Sequence, residues 1–216
     1  MNLFTQTVLL IGRITPDHVE LLGTGFLISK DGKVVTTKHV VGNSDAGLCV
    51  LLPHITDINS YQDTTENRVK KITAKVIEAD PLKDIVVLDT GLNFQGNLPE
   101  IGGFDECSVG ETLGIYGFPH AGEGRRVLTY HETKVGAKVL LESQGLKSKY
   151  AILNTQTRPG QSGSLIFSPK TNKIVGLLIG AYSQAGRGGI SLGGINPAEL
   201  HQTTHCISAE YIKEML

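Results

Sequence analysis

"GTGFLISKDGKVVTTKHVV", residues 23–41, reads as two short strands folded back on each other. Apolar and β-branched residues flank Asp31-Gly32, and Asp-Gly between two such runs signals a hairpin because both residues accept the positive φ of a tight turn. A histidine, His39, follows directly on the second run. Similar runs recur along the chain, among them "TVLLIG", "LCVLLP", "KITAKVIEA", "DIVVLDT", "TLGIYGF", "YAILNT" and "IVGLLIGAY". Turn-forming clusters separate them at 117–124 and 168–173. Many short strands at this spacing predict an all-β barrel or sandwich. The 26 glycines among 216 residues suit frequent tight turns. One helix is expected at the end, in "SAEYIKEML", with Ser208 as its N-cap and Glu210 in its first turn. A soft boundary near residues 97–106 divides the chain into halves, 1–100 and 101–216.

Composition narrows the function classes. The formal net charge is -1 and the basic residues form no stripe, so no nucleic-acid partner is indicated. The apolar run Val8 to Ile11 is too short for a membrane span or a signal segment. Cys49, Cys107 and Cys206 are odd in number and far apart, which argues against a disulfide framework and fits a cytoplasmic setting. "HQTTHC" puts His201 and His205 at helical spacing beside Cys206, but no fourth ligand is evident, so neither a metal nor another cofactor is expected.

"RPGQSGS", Arg158 to Ser164, places Ser162 between glycines after a stiffening proline. A serine hydroxyl needs a base to take its proton, and the base needs an acid to hold its tautomer. His39 lies at a strand end. Asp84, in "DPLKDIVVLDT", abuts an apolar run, whereas Asp80 reads as the initiator of an Asp-Pro turn. A half-buried carboxylate needs a partner, and His39 supplies one. The order His39, Asp84, Ser162 excludes an α/β-hydrolase, whose acid and histidine follow the serine, since no aspartate follows Ser162. In this chemistry the N–H groups of Gly160 and Ser162 would bind the oxyanion.

Together "GTGFLISKDGKVVTTKHVV", "DPLKDIVVLDT", "VGETLGIYGFP" and "RPGQSGSLIF…KIVGLLIG" resemble the trypsin-like serine proteases, nearest the bacterial HtrA-like branch, over about residues 20 to 195. The resemblance implies two six-stranded Greek-key β-barrels with the active site between them; since only the short helix remains after the second, no PDZ-like domain is expected there. It implies a serine endopeptidase of protein or peptide substrates, with Ile179, Gly180, Ala181 and Tyr182 pairing with substrate as an added strand. It also implies that Gln156, six residues before the nucleophile, sits at the base of the primary pocket. Gly188-Gly189 would form a further wall. No charge or histidine is expected there, so an uncharged residue before the scissile bond is favoured. Lys38, Ile179 and Ser164 depart from the family's usual residues. Alternatives of other classes are a catalytically silent peptide-binding scaffold and an ester hydrolase.

Trypsin is activated by cleavage that frees an Ile or Val amine to pair with an aspartate beside the serine. Arg13-Ile14 resembles such a cleavage site, but Gln161 stands where that aspartate would be, and a buried ammonium would lack its partner. Residues 6–13 are therefore expected to form the first strand. Switching is assigned to loops 117–124 and 142–149, with a regulatory protein partner expected because an open protease cleft is hazardous.

Overall fold

The computed structural model describes residues 2–181 and 203–216. The first sheet contains β1 (Val8–Ile14), β2 (Val19–Leu27), β3 (Lys33–Thr37), β4 (Leu48–Leu51), β5 (Lys71–Thr73), β6 (Lys75–Asp80) and β7 (Ile85–Asp89), in the order β5-β4-β1-β2-β3-β7-β6. The edge strands β5 and β6 are separated only by Ala74, whose N–H bonds Leu48 C=O at 2.9 Å. They act as one bent strand that joins β4 to β7, so the seven segments close a six-stranded barrel.

The second sheet contains β8 (Glu100–Ile101), β9 (Thr112–Gly117), β10 (Thr129–Ser143), β11 (Leu146–Leu153), β12 (Leu165–Ser168), β13 (Lys173–Ala181) and β14 (Thr204–Ser208). Its order is β12-β9-β10-β11-β14-β13-β8, and β12 also pairs with β13, closing a ring of six; β8 adds only a two-residue parallel edge. In both rings the fourth strand returns beside the first (β4 on β1, β12 on β9), the Greek-key arrangement.

The continuous apolar runs follow from burial on both strand faces. In β7, Val86 and Leu88 join Leu9, Ile11 and Val34 inside the first barrel. Ile85 and Val87 face the other way, into a cluster with Phe26, Tyr116, Leu165 and Leu177 that joins the two barrels. The second barrel is filled by Phe104, Leu113, Ile115, Leu153, Ile166 and Cys206, among others. A strand buried on both faces loses the polar alternation of a half-exposed one.

Two helical expectations are corrected. The chain opens with a short helix, α1 (Asn2–Thr7), before β1; its Phe4 packs on Tyr116 at 4.2 Å and Phe167 at 5.0 Å between ring centroids. At the other end α3 spans only Glu210–Lys213, and Ser208 is not its cap. Ser208 stays in β14, opposite Gly176, and its hydroxyl accepts the Phe104 N–H at 2.9 Å. His205 and Cys206 are strand neighbours in β14, so they lack helical spacing; His201 lies outside the described residues.

Candidate active site

His39 lies on α2 (Lys38–Val41), a single helical turn entered directly from β3. Asp84 sits in the tight turn between β6 and β7, in the left-handed region at φ 57°, which aspartate tolerates better than most residues. Its carbonyl accepts the Lys38 N–H at 3.0 Å. Its carboxylate reaches His39 twice: Oδ1 accepts the backbone N–H at 2.8 Å, and Oδ2 lies 2.5 Å from Nδ1. The imidazole is thereby held with Nδ1 toward the acid and Nε2 free to face elsewhere. Asp80 instead accepts the N–H groups of Leu82 and Lys83 and pairs with the Lys83 ammonium at 2.6 Å. The Tyr150 phenol is pushed up to about 12, first by burial and then by the charge of Asp84, so it remains protonated.

Ser162 comes from the opposite barrel, in the turn between β11 and β12. Its hydroxyl donates to the Ile179 carbonyl at 3.0 Å and makes no hydrogen bond to His39. That carbonyl is available because the β13–β14 ladder shifts register between Leu178 and Gly180. Gly23 brings the barrels into close approach: a Cβ there would lie 2.7 Å from Val40, the neighbour of His39, and 3.1 Å from the Ser162 carbonyl oxygen.

The turn holding Ser162 is fixed from several sides. Gly160 and Gly163 have φ of 93° and 86°, and a Cβ on Gly163 would lie 1.9 Å from the Thr24 carbonyl oxygen; only glycine fits such a position. Gln161 is buried; its N–H donates to Arg158 C=O at 3.1 Å, and its side-chain oxygen accepts the Arg158 N–H at 2.7 Å. Pro159 C=O accepts the His120 N–H at 2.6 Å. Among the described residues, the N–H groups of Gly160 and Ser162 meet no acceptor. Loop 117–124 thus packs against this turn, with Ala121 fully buried.

The expected substrate-binding residues separate into two places. Gly180 and Ala181 pair with His205 and Thr204 on one side, and no strand pairs their other edge among the described residues. A Cβ on Gly180 would come within 3.5 Å of Ser162 Oγ. Gln156 lines a different cleft, of about 270 Å³, which includes neither Ser162 nor Ile179. Contrary to expectation, histidines stand beside Gln156: His120 and His131 line that cleft, and His131 Nε2 lies 2.8 Å from Thr155 Oγ1. Tyr182 and Gly188-Gly189 lie outside the described residues.

The chain belongs to the trypsin-like peptidase family: the model of the "Trypsin-like peptidase domain" matches residues 23–177. Its curated relatives include a "Probable periplasmic serine endoprotease DegP-like" of Hahella chejuensis, 25% identical over 177 residues, which are 79% of this chain and 32% of that protein. Another of the same name, from Ectopseudomonas mendocina, is 29% identical over 176 residues, 78% of this chain and 31% of that protein. The chain therefore spans about a third of the length of these relatives. Among solved structures, the active form of the Rv3671c protease of M. tuberculosis superposes with a TM-score of 0.70 at 20% identity, covering 99% of this chain and 81% of that one. The HtrA-type protease AlgW with a decapeptide gives 0.67 at 16% identity, covering 97% and 63%. These two likenesses show the shared fold.

The cytoplasmic expectation is overturned, since the curated relatives are periplasmic by name. The thiols misled for a physical reason. All three are free and buried, and burial pushes each upward, Cys107 to about 12. An inaccessible thiol stays unpaired whatever the compartment, so its state reports burial and not redox setting.

Proposed function

We propose that the chain is a serine endopeptidase in which His39, Asp84 and Ser162 act as one catalytic unit. The observation that carries this reading is the double hold of Asp84 on His39, at 2.8 and 2.5 Å, across the barrel junction from a glycine-flanked serine. Ser162 turns its hydroxyl from the Ile179 carbonyl toward Nε2, loses its proton to His39, and attacks the scissile carbonyl carbon. The carbonyl π electrons move onto oxygen, which the N–H groups of Gly160 and Ser162 receive; losing one such donor costs about 3 kcal/mol in the transition state. His39 then protonates the leaving amine as the C–N bond breaks. Water, deprotonated by His39, hydrolyses the acyl ester and returns Ser162. Asp84 stabilises the imidazolium at both stages.

The unpaired edge at Gly180 and Ala181 suits a substrate strand laid antiparallel to β13, with main-chain bonds holding it and side chains alternating above and below. The expected preference for an uncharged residue before the scissile bond loses its ground, because His120, His131 and Arg158 line the cleft with Gln156.

The test is labelling with a fluorophosphonate and digestion of a peptide library, with Ser162→Ala as control. Wild type is expected to label and cleave. The variant should fold, fail to label, and lose about 10⁴ to 10⁶ in kcat, because the members of such a unit act together. Cleavage by Ser162→Ala within about tenfold of wild type would end the assignment.

A further inference from the structure

Thr24, on β2 of the first barrel, is fully buried, and each of its polar atoms has a partner. Its N–H donates to Ser162 C=O at 2.9 Å, and its C=O accepts the Thr36 hydroxyl at 2.6 Å. Its own hydroxyl donates to Gly160 C=O at 2.8 Å and accepts the Phe118 N–H at 3.0 Å. One side chain therefore touches both the turn that holds Ser162 and the start of loop 117–124.

A trans peptide points its C=O and N–H to opposite sides, so a held carbonyl fixes the direction of the following N–H. The two N–H groups of the oxyanion site belong to the peptides 159–160 and 161–162. Their carbonyls are held by the N–H groups of His120, at 2.6 Å, and Ser164, at 2.9 Å. The alternate peptides, 160–161 and 162–163, have their carbonyls held by Thr24, through its hydroxyl and its N–H respectively. No carbonyl from Pro159 to Ser162 is left to swing into the site.

We infer that the Thr24 hydroxyl is a positioning residue for oxyanion binding: it ties the nucleophile turn of the second barrel to the first barrel and to Phe118. The inference rests on the peptidase reading proposed above. The hydroxyl must donate and accept at once, which serine can do and valine cannot. Turning the Gly160 carbonyl inward would leave the Thr24 proton and, through it, the Phe118 N–H poorly matched in a fully buried place.

The experiment compares wild type with Thr24→Ser, Thr24→Val and Thr24→Cys on one peptide substrate. It also measures binding of a peptidyl boronate, which places an oxygen in the oxyanion site, against the same peptide as a simple amide. Thr24→Val should lower kcat about 10²-fold while KM moves less than about threefold, because only transition-state binding is lost. Its boronate affinity should fall by a similar factor and its amide affinity should hold. Thr24→Ser should retain most of both, with Thr24→Cys between. If Thr24→Val does not fold, the serine and cysteine variants carry the test, and equal kcat in the two would overturn the inference. Active wild type with an unimpaired Thr24→Val would overturn it alone. Parallel loss of boronate and amide binding would do the same, marking a role in packing only. A wild type that neither cleaves nor labels would overturn the peptidase reading and this one with it.

Discussion

Asp84 Oδ2 lies 2.5 Å from His39 Nδ1 while Asp84 Oδ1 accepts the His39 backbone N–H at 2.8 Å. The carboxylate thus fixes both the ring and the short helix that carries it. Asp84→Asn separates these roles, since asparagine also tolerates the left-handed backbone at this position. The amide oxygen can still accept one N–H, but its NH₂ cannot accept the second. Expected is a folded protein with kcat down by about 10⁴, the imidazole being held in the wrong tautomer. Kinetics beside circular dichroism check it; activity within about tenfold of wild type would remove Asp84 from the catalytic unit.

Gly163 tests how tightly the turn that carries Ser162 is packed. Alanine there meets both a positive φ of 86° and the Thr24 carbonyl oxygen at 1.9 Å. Gly124 is left-handed at φ 80° with nothing within 4 Å of a built Cβ. Gly124→Ala should therefore cost about 1–2 kcal/mol, the conformational part alone. Gly163→Ala should cost at least about 3 kcal/mol or prevent folding. Denaturant titration of the two variants decides; similar losses would mean that the close approach of Thr24 adds nothing.

Ser164 is fully buried, and its hydroxyl has no partner among the described residues. An unsatisfied buried hydroxyl costs more than it returns. Ser164→Ala should therefore raise stability by about 1 kcal/mol, or roughly 2–4 °C in Tm for a chain of this size. A lower Tm in calorimetry would mean that the hydroxyl is bonded in solution.

Much of the candidate site was legible because its parts lie in short local patterns. A histidine at a strand end, an aspartate beside "IVVL" and a serine between glycines each carry their reason within a few residues. The run "KITAKVIEA" reads straight through Ala74, and the structure bends it there into β5 and β6. Ser208 was misread because a serine before acidic residues looks like a cap, while its actual partner, Phe104 N–H, lies 104 residues away. Thr24 was missed for the same reason: its hydroxyl partners are 94 and 136 residues distant. A local signal did exist. Thr24 stands between Gly23 and Gly25, where a Cβ would press on Val40 and on the Val35 carbonyl, and paired glycines within a strand mark close backbone approach.

His205 gives a pH dependence. It is buried on β14, and burial pushes its pKa below the ordinary 6.5. The unfolded chain then binds the proton more readily than the folded one, so folding stability is full above about pH 6.5 and falls as pH drops below it. His54 shifts in the same direction, first through burial and then through Arg126. Between pH 8 and pH 5 the Tm should decline, and His205→Gln should decline less steeply. Parallel curves for the two proteins would show that His205 does not contribute.

Arg13-Ile14 has the look of an activation site, and the fold argues against cleavage there as a switch. Both residues lie in β1, which runs between β2 and β4. The Arg13 guanidinium donates to the carbonyls of Ala46, Val41 and Ser44 at 2.6, 2.7 and 2.9 Å, and the Ile14 N–H donates to Gly47 C=O at 2.7 Å. Cutting here would strip Val8, Leu9, Leu10 and Ile11, all buried, from the first barrel. At about 1.5–3 kcal/mol for each side chain, the loss rivals the whole stability of a typical domain, about 5–15 kcal/mol. A freed Ile14 amine would also find no anion at the turn that carries Ser162, because Gln161 is neutral and its side-chain oxygen already accepts the Arg158 N–H. The chain beginning at Met1 should therefore cleave a reporter peptide with its Arg13–Ile14 bond intact by mass spectrometry, and Arg13→Gln should retain activity. A chain beginning at Ile14 should be unfolded and inactive. Activity that appears only after the Arg13 bond is cut would reverse this assignment and make β1 a removable segment.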